Sequence, residues 1–300
     1  ASHFALSKHA VRQRLVLEGS RAFGVAYVYA NLLGNEAGRA IYDGDAMIAS
    51  GGQMLAVGPR FSFADFCLTA GIVDVDVTRM NRARAGTFRV DIRAEQTACV
   101  RADFLFPVIH PETQELNSAA WENGPYVKEE EFARAVALGL FDYLRKSRSR
   151  GFVVSISGGV DSATVTILSA LLIRLGCSEL GLPRFLEKLS YIPALKGVTQ
   201  ADELVRRLLT CAYQATRNSS ATTWEAARAV AEAVGAQCYR FEVDELVQNY
   251  VGAVSQALGR PLTWEQDDVA LQNIQARVRA PSVWLLANLQ GALLLSTSNR

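Results

Sequence analysis

Eight consecutive residues, Ser155-Ile156-Ser157-Gly158-Gly159-Val160-Asp161-Ser162, carry most of the chemistry legible in this chain. Paired glycines allow backbone angles and close approaches that a β-carbon would block. A tight turn of this kind at a helix start aims backbone N–H groups and the positive end of the helix at one spot, where a phosphate is favoured. Ser157 and Ser162 add hydroxyls. A carboxylate beside bare phosphates would be repelled, so Asp161 makes chemical sense with Mg²⁺ between the two. The lysine of the G-x-x-x-x-G-K-[ST] loop is missing, which excludes that type of nucleotide site.

The elements that must position these residues flank them directly. Phe152, Val153 and Val154 form an apolar run that suits a buried strand, and Ala163 to Leu175 form a second run that suits a helix starting near Asp161 and closing at Gly176. Leu209 to Tyr213 reads as the next strand and Thr223 to Val234 as the next helix, stopped by Gly235. Cys238 to Val243 is a third strand, Asp244 opens a further helix, and a polar helix from Asp267 to Arg279 meets Pro281. Ala292 to Leu295 reads as a buried strand ending in Ser-Thr-Ser-Asn. Alternating strands and helices predict a doubly wound parallel sheet, with ligands beyond the carboxyl ends of the strands. Three polar segments fall at such ends: the loop 155–162, the string Gln214 to Ser220, and Ser296 to Asn299. Hydroxyls in the second of these also suit a helix cap.

Ahead of the sheet, Lys128 to Arg145 is an amphipathic helix with Phe132, Val136, Leu140 and Leu144 at four-residue spacing. Glu129, Glu130 and Glu131 in its first turn and Arg145, Lys146 and Arg148 near its end suit the helix dipole. The three glutamates read as a solvated helix start without a catalytic role. Residues near the chain start predict a helix over His9 to Glu18, a strand over Val25 to Ala30, and a hairpin from Ala40–Ala49 through Ser50-Gly51-Gly52 to Gln53–Val57. Gly71 to Val77 alternates as a strand; Asp74 and Asp76 on one face read as a solvated edge rather than a metal pair. His110 to Gly124 reads as a linker.

Three hundred residues favour two domains. A net charge of +1 gives no basic surface for nucleic acid. The apolar run 163–175 is too short to span a membrane, no signal-peptide pattern is visible, and a cytoplasmic location is expected. Five scattered cysteines, with no C-x-x-C pair, argue against a zinc site or a disulfide framework; Cys67 and Cys99 read as small buried apolar residues. Three separated histidines cannot form a histidine metal cluster.

The Ser-Gly-Gly-Val-Asp-Ser string resembles the pyrophosphate loop of the ATP pyrophosphatase family, which includes NAD, GMP and asparagine synthetases. Asn273-Ile274-Gln275-Ala276-Arg277, Leu293 to Asn299, and Cys211 to Ser220 narrow the resemblance to the synthetase domain of the NAD synthetases. The resemblance implies an adenine nucleotide alpha hydrolase-like fold. It implies ATP binding by Ser155, Ile156, Ser157, Gly158, Gly159, Val160, Asp161, Ser162 and Thr297, with Mg²⁺ at Asp161 and deamido-NAD at Asn273 and Arg277. Spacing alone puts Asn273 and Arg277 on one side of a helix, where an Arg can clamp a phosphate or carboxylate. The implied reaction is adenylation of the deamido-NAD carboxylate with release of pyrophosphate, then displacement of AMP by ammonia.

Composition assigns no function to the first part of the chain. Ala1-Ser2-His3-Phe4 to Lys8, Tyr27 to Asn31, Tyr42-Asp43-Gly44 and Arg60-Phe61 resemble the rear of the nitrilase-like glutaminase domain of glutamine-dependent NAD synthetases. The resemblance implies glutamine binding at Ser2 and Lys8. The family's Glu-Lys-Cys triad aligns with no residue here and is expected upstream, so this segment alone is expected to lack glutaminase activity, and the ligand loop after the last strand is expected to be cut short. The resulting organisation is a partial nitrilase-like α/β sandwich domain over 1–110, a linker over 111–127, and the ATP pyrophosphatase-type domain over 128–300. A homo-oligomer is expected, with neither nucleic acid nor membrane as partner. The alternatives are a GMP synthetase-like amidoligase, disfavoured by the nitrilase-like half, and a nucleotide-binding fragment without turnover.

Overall fold

In a computed structural model of the chain, the structure describes residues 2–36, 39–84, 102–103, 105, 116 and 118–297. The chain divides into two compact units, residues 1–135 and 136–300.

The first unit opens with α1 (Lys8–Phe23), longer at both ends than its sequence suggests, closed by left-handed Gly24. β1 (Ala26–Ala30) follows, then β2 (Leu33–Glu36), β3 (Ala40–Asp43), β4 (Ala46–Ser50) and β5 (Gln53–Val57). The hairpin around Gly51-Gly52 forms as β4 and β5, but the expected strand 40–49 does not run through. Gly44, at φ 75°, breaks it: β3 pairs antiparallel with β2, while β4 sits between β1 and β5 in a separate antiparallel sheet.

The expected strand at 71–77 is also absent. Val75 starts helix α2 (Val75–Arg84), because the Asp74 carboxylate accepts the N–H groups of Asp76 and Val77, both at 2.9 Å. The cap outweighs the alternating pattern. Cys67 is half-buried rather than buried; Cys99 lies outside the described residues.

Residues Ala120–Asn123 form a short 3₁₀ turn. It is held by Arg60, whose guanidinium bonds Glu122 and Glu131 at 2.7 Å each and lies over the Trp121 ring. Glu131 is therefore buried and paired, contrary to the reading of a solvated glutamate run. It sits in α3 (Val127–Ser147), whose buried side includes Ala135, Leu138, Phe141 and Leu144, while Phe132 is exposed.

The second unit is an α/β fold built on a parallel sheet. Its strands are β6 (Phe152–Ser155), β7 (Leu209–Ala215), β8 (Gln237–Glu242) and β9 (Leu293–Leu295), in the order β8-β7-β6-β9. Its helices are α4 (Val160–Leu180), α5 (Leu182–Lys188), α6 (Ala201–Leu208), α7 (Ala221–Val234), α8 (Asp244–Leu258), α9 (Trp264–Arg277) and α10 (Arg279–Gln290). β6 and β7 are buried apolar runs, as parallel strands covered on both faces require. β9, read as buried, is half-buried at the sheet edge. The chain winds outward from β6 through β7 to β8, then returns to the other side of β6 as β9. With right-handed crossovers, that reversal opens a crevice between the ends of β6 and β9.

Gly176 does not close α4. It is buried within the helix, which continues to a turn at Gly181. At 21 residues and mean hydropathy 1.5, α4 meets the length and composition of a membrane span, so its run is not too short on that ground. In this fold α4 packs against β6, β7, α5, α6 and α7, which accounts for its apolar character.

Candidate functional site

The glycine loop stands at the end of β6, at the reversal in strand order. Ile156 extends the β6–β7 pairing, its N–H bonding the Ala212 carbonyl at 2.9 Å. Gly158 then turns the chain with φ 80°, and a β-carbon on it would overlap the Thr223 carbonyl oxygen at the first turn of α7. Glycine is required here both by conformation and by space. Gly159 is the N-cap of α4 and offers no side-chain cap, so the first N–H groups of this 21-residue helix are left for a ligand.

The serines hold the loop in shape. The Ser157 N–H donates to Ser162 Oγ at 3.1 Å, the Gly159 N–H donates to Ser157 Oγ at 3.2 Å, and Ser162 Oγ–H donates to the Gly159 carbonyl at 3.1 Å. Ser155 Oγ donates to buried Gln214 Oε1 at 2.9 Å, tying the ends of β6 and β7 together. Val160 and Asp161 are exposed on the first turn of α4, and Asp161 has no ion-pair partner among the described residues.

The loop borders a cavity of about 280 Å³. Ser155, Ile156 and Ser157 meet Tyr213, Gln214 and the 218–220 turn there, with Arg279 from the start of α10. The far wall is locked: the Tyr213 hydroxyl is 2.8 Å from Thr223 Oγ1, Tyr213 contacts the Trp224 ring, and Ser220 caps α7 through the Thr223 N–H. The 218–220 turn is anchored outside by Arg217, whose guanidinium donates from Nε to Asp244 Oδ1 and from Nη2 to Oδ2. That bond holds the half-buried Asp244 carboxyl below the usual carboxylate range.

Thr297 is exposed just past β9, two residues beyond Leu295, which pairs with Val154 of β6. Asn273 and Arg277 lie exposed on α9 and do not line the 280 Å³ cavity. Arg279 does, although only its neighbours were singled out from the sequence; its place in the same Asn273–Arg279 string was the available signal. α9 itself starts at a kink where Asp267 accepts from Arg260 and from the Thr263 N–H, which holds the Asp267 carboxyl at about 2.

Among the described residues no group of three His, Cys, Asp or Glu side chains is placed to hold a metal. A Mg²⁺ ion that takes one protein carboxylate and completes its shell with phosphate oxygens and water fits this donor set, with Asp161 as the carboxylate.

In the first unit, the Ser2 N–H donates to Asn31 Oδ1 at 2.9 Å, and Asn31 Nδ2 donates to the Ser2 carbonyl and to Asp43. Lys8 Nζ bonds the His3 carbonyl at 3.0 Å. Ser2 thus borders a buried charge cluster that the sequence reading did not identify. Arg12 Nη1 donates to Asp43 at 2.7 Å and to Asp45 at 2.9 Å, and His9 Nδ1 is 2.9 Å from Asp45. Arg12 Nε and Nη2 and Asp45 Oδ1 are buried without a hydrogen-bond partner. The Asp43-Gly44-Asp45 string between two strands was the only sequence signal.

A glycine-turn loop opening a helix, set at a strand-order reversal in a parallel α/β sheet, has the geometry of the phosphate-cradling class of α/β proteins. The NAD synthase family model matches residues 132–300, and the chain belongs to that family. Glutamine-dependent NAD(+) synthetases from Bos taurus and Homo sapiens are each 30% identical to it, across 99% of this chain and 45% of theirs. The crystal structure of a glutamine-dependent NAD(+) synthetase from Cytophaga hutchinsonii is 42% identical, with a TM-score of 0.77, across 100% of this chain and 44% of that one. A second such enzyme, from Acinetobacter baumannii in complex with ADP, shares the fold at a TM-score of 0.65 and 18% identity. The chain thus spans less than half the length of these relatives.

Proposed function

We propose that this chain carries the synthetase site of a glutamine-dependent NAD synthetase, together with the rear part of its glutaminase domain over 1–110. The observation that carries the reading is the open N-terminus of α4 behind Gly158-Gly159, in a chain of the NAD synthase family. A protein of the same fold has been solved in complex with ADP, which is consistent with an adenine nucleotide as a ligand here.

In this reading ATP lies with its phosphates on Ser155, Ile156, Ser157, Gly158, Gly159, Val160, Asp161 and Ser162 and with Thr297 at its flank. Asn273 and Arg277 hold deamido-NAD, and Arg279 joins the cavity from the same side. A carboxylate is a poor electrophile, and transfer of the adenylyl group from ATP gives it a good leaving group. Ammonia then attacks the acyl adenylate, AMP leaves, and the amide of NAD is formed. The chain's part is to orient two charged reactants and to neutralise developing negative charge, not to supply a nucleophile. Backbone N–H groups of the first α4 turn stabilise the pyrophosphate as it departs. Mg²⁺ held at Asp161 would supply further charge neutralisation at the phosphate oxygens.

Ammonia is supplied by glutamine hydrolysis, with Ser2 and Lys8 in the glutamine site. The Glu-Lys-Cys triad has no counterpart among these residues. We place the protein in the cytoplasm as a homo-oligomer. The test is ATP–pyrophosphate exchange measured with and without deamido-NAD. Exchange that depends on deamido-NAD supports the reading; ATP binding without exchange supports a binding module, and exchange driven by another carboxylate or by xanthosine monophosphate reassigns the substrate.

A further inference from the structure

The larger cavity of the second unit, about 790 Å³, lies at the opposite end of the sheet from the glycine loop. Gly151, Thr210, Gln237 and Ala292 line it, and these stand at the starts of β6, β7, β8 and β9. Its outer wall is made by residues 192–208, which include α6. A parallel crossover needs only one covering helix, and α4 already supplies it between β6 and β7. The segment from α5 to α6 is therefore additional to the sheet, and its Ile192, Pro193 and Leu208 give this cavity an apolar side.

The cavity also carries positive charge, from Arg150 beside the sheet and from Arg206 and Arg207 on the α6 wall itself. Arg207 is committed to Glu203, but Arg150 and Arg206 have no ion-pair partner among the described residues. Helix ends explain how they are tolerated: Arg206 is in the last turn of α6, and the Arg150 side chain lies against Gly291, the C-cap of α10. Each guanidinium has five N–H donors, more than a helix end uses. Two uncommitted positive charges match the near-dianionic charge of a phosphate monoester, whereas a single carboxylate would leave one unmatched. The cavity's size suits a small organic ligand.

We infer that the sheet base is a second ligand site, taking a phosphate monoester with Arg150 and Arg206 on the phosphate and its organic part against Ile192, Pro193 and Leu208. This site is independent of the glycine loop, yet β6 and β7 lead from it directly to Ser155 and Gln214, roughly 13 Å away along the strands.

The test is residue-resolved protection of the whole chain from phenylglyoxal, with AMP, adenosine and inorganic phosphate as probes and exposed Arg184 of α5 as the control. AMP is expected to slow modification of Arg150 and Arg206 by about tenfold, as a charge-assisted guanidinium–phosphate contact requires, and to leave Arg184 unchanged. Adenosine is expected to give no protection, and inorganic phosphate only weak protection. In parallel, Arg150→Glu with Arg206→Glu should abolish AMP binding that persists when the loop site is saturated with a non-hydrolysable ATP analogue. Protection by adenosine equal to that by AMP, or AMP binding unchanged in the double variant, overturns the inference. Equal protection by phosphate and AMP means an adventitious ion only and overturns it as well. Loss of loop binding with the base site intact would count against the proposed synthetase reading alone.

Discussion

Gly158 of the loop and Thr223 of the α7 first turn are packed so closely that the carbonyl oxygen of Thr223 fills the space where a side chain on Gly158 would begin. The glycine loop is thus braced from outside by a helix that starts beyond the next strand. Tyr213 fixes that brace through its hydroxyl contact with Thr223 Oγ1.

Gly158→Ala meets both the backbone obstacle and a φ of 80°, a conformation that costs an alanine about 1–2 kcal/mol before any overlap is counted. It is expected to lower stability by at least that much and to abolish ATP binding. Gly159→Ala, at φ −90° with only Ser157 Oγ within 3.3 Å, is expected to fold normally. Urea melts and nucleotide titration check the pair; equal behaviour of the two variants would remove the brace from the explanation.

Asp161→Ala should leave the melting temperature unchanged, since the side chain is exposed and makes no ion pair. It should weaken magnesium-dependent ATP binding by more than about tenfold, as loss of the carboxylate ligand to a hard cation implies. ATP affinity that is indifferent to the substitution would rule out the metal role.

Arg12→Met leaves Asp43 and Asp45 buried without their cation. Breaking a buried pair in this way costs about 3–5 kcal/mol, and the expected result is a correspondingly lower urea midpoint. Adding Asp43→Asn and Asp45→Asn should recover part of the loss. No recovery would show that packing of the arginine stem, not charge, is what counts.

Asp267 provides the pH test. Its carboxyl is held at about 2 by Arg260 and the Thr263 N–H, below the unfolded value of about 3.9. A depressed folded pKa means that its contribution to the α9 start is fully present above pH ~4 and is lost as pH falls toward 2. A carbon-detected titration should place the Asp267 midpoint near the lower value, and Arg260→Gln should raise it toward the ordinary carboxylate range, short of a full return because the Thr263 N–H bond remains. An Asp267 midpoint that Arg260→Gln does not move would detach the kinked helix start from this pair.

The strand–loop–helix unit at 152–180 was legible because buried parallel strands are short apolar runs and because a glycine pair before a helix has few other uses. β7, α7 and β8 followed for the same reason, punctuated by Gly235. Long-range pairing was what the sequence concealed. Glu131 looked solvated because its partner, Arg60, is distant in sequence. The alternation of Val73, Asp74, Val75, Asp76 and Val77 carried a strand signal that the Asp74 cap overrode locally. The wall built by residues 192–208 carries no motif, and Arg279 was one of several arginines in a polar stretch until the fold put it on the same cavity as Gln214.

β9 is the shortest strand of its sheet and joins β6 nearly half the sequence later, Phe152 meeting Leu293. During synthesis the glycine loop therefore emerges long before its neighbour at the crevice exists. Distant pairings of this kind are slow to form, so β9 is expected to join the sheet after β6 and β7 have paired. Amides of β9 should be the first in the sheet to exchange with deuterium, and nucleotide should slow them most.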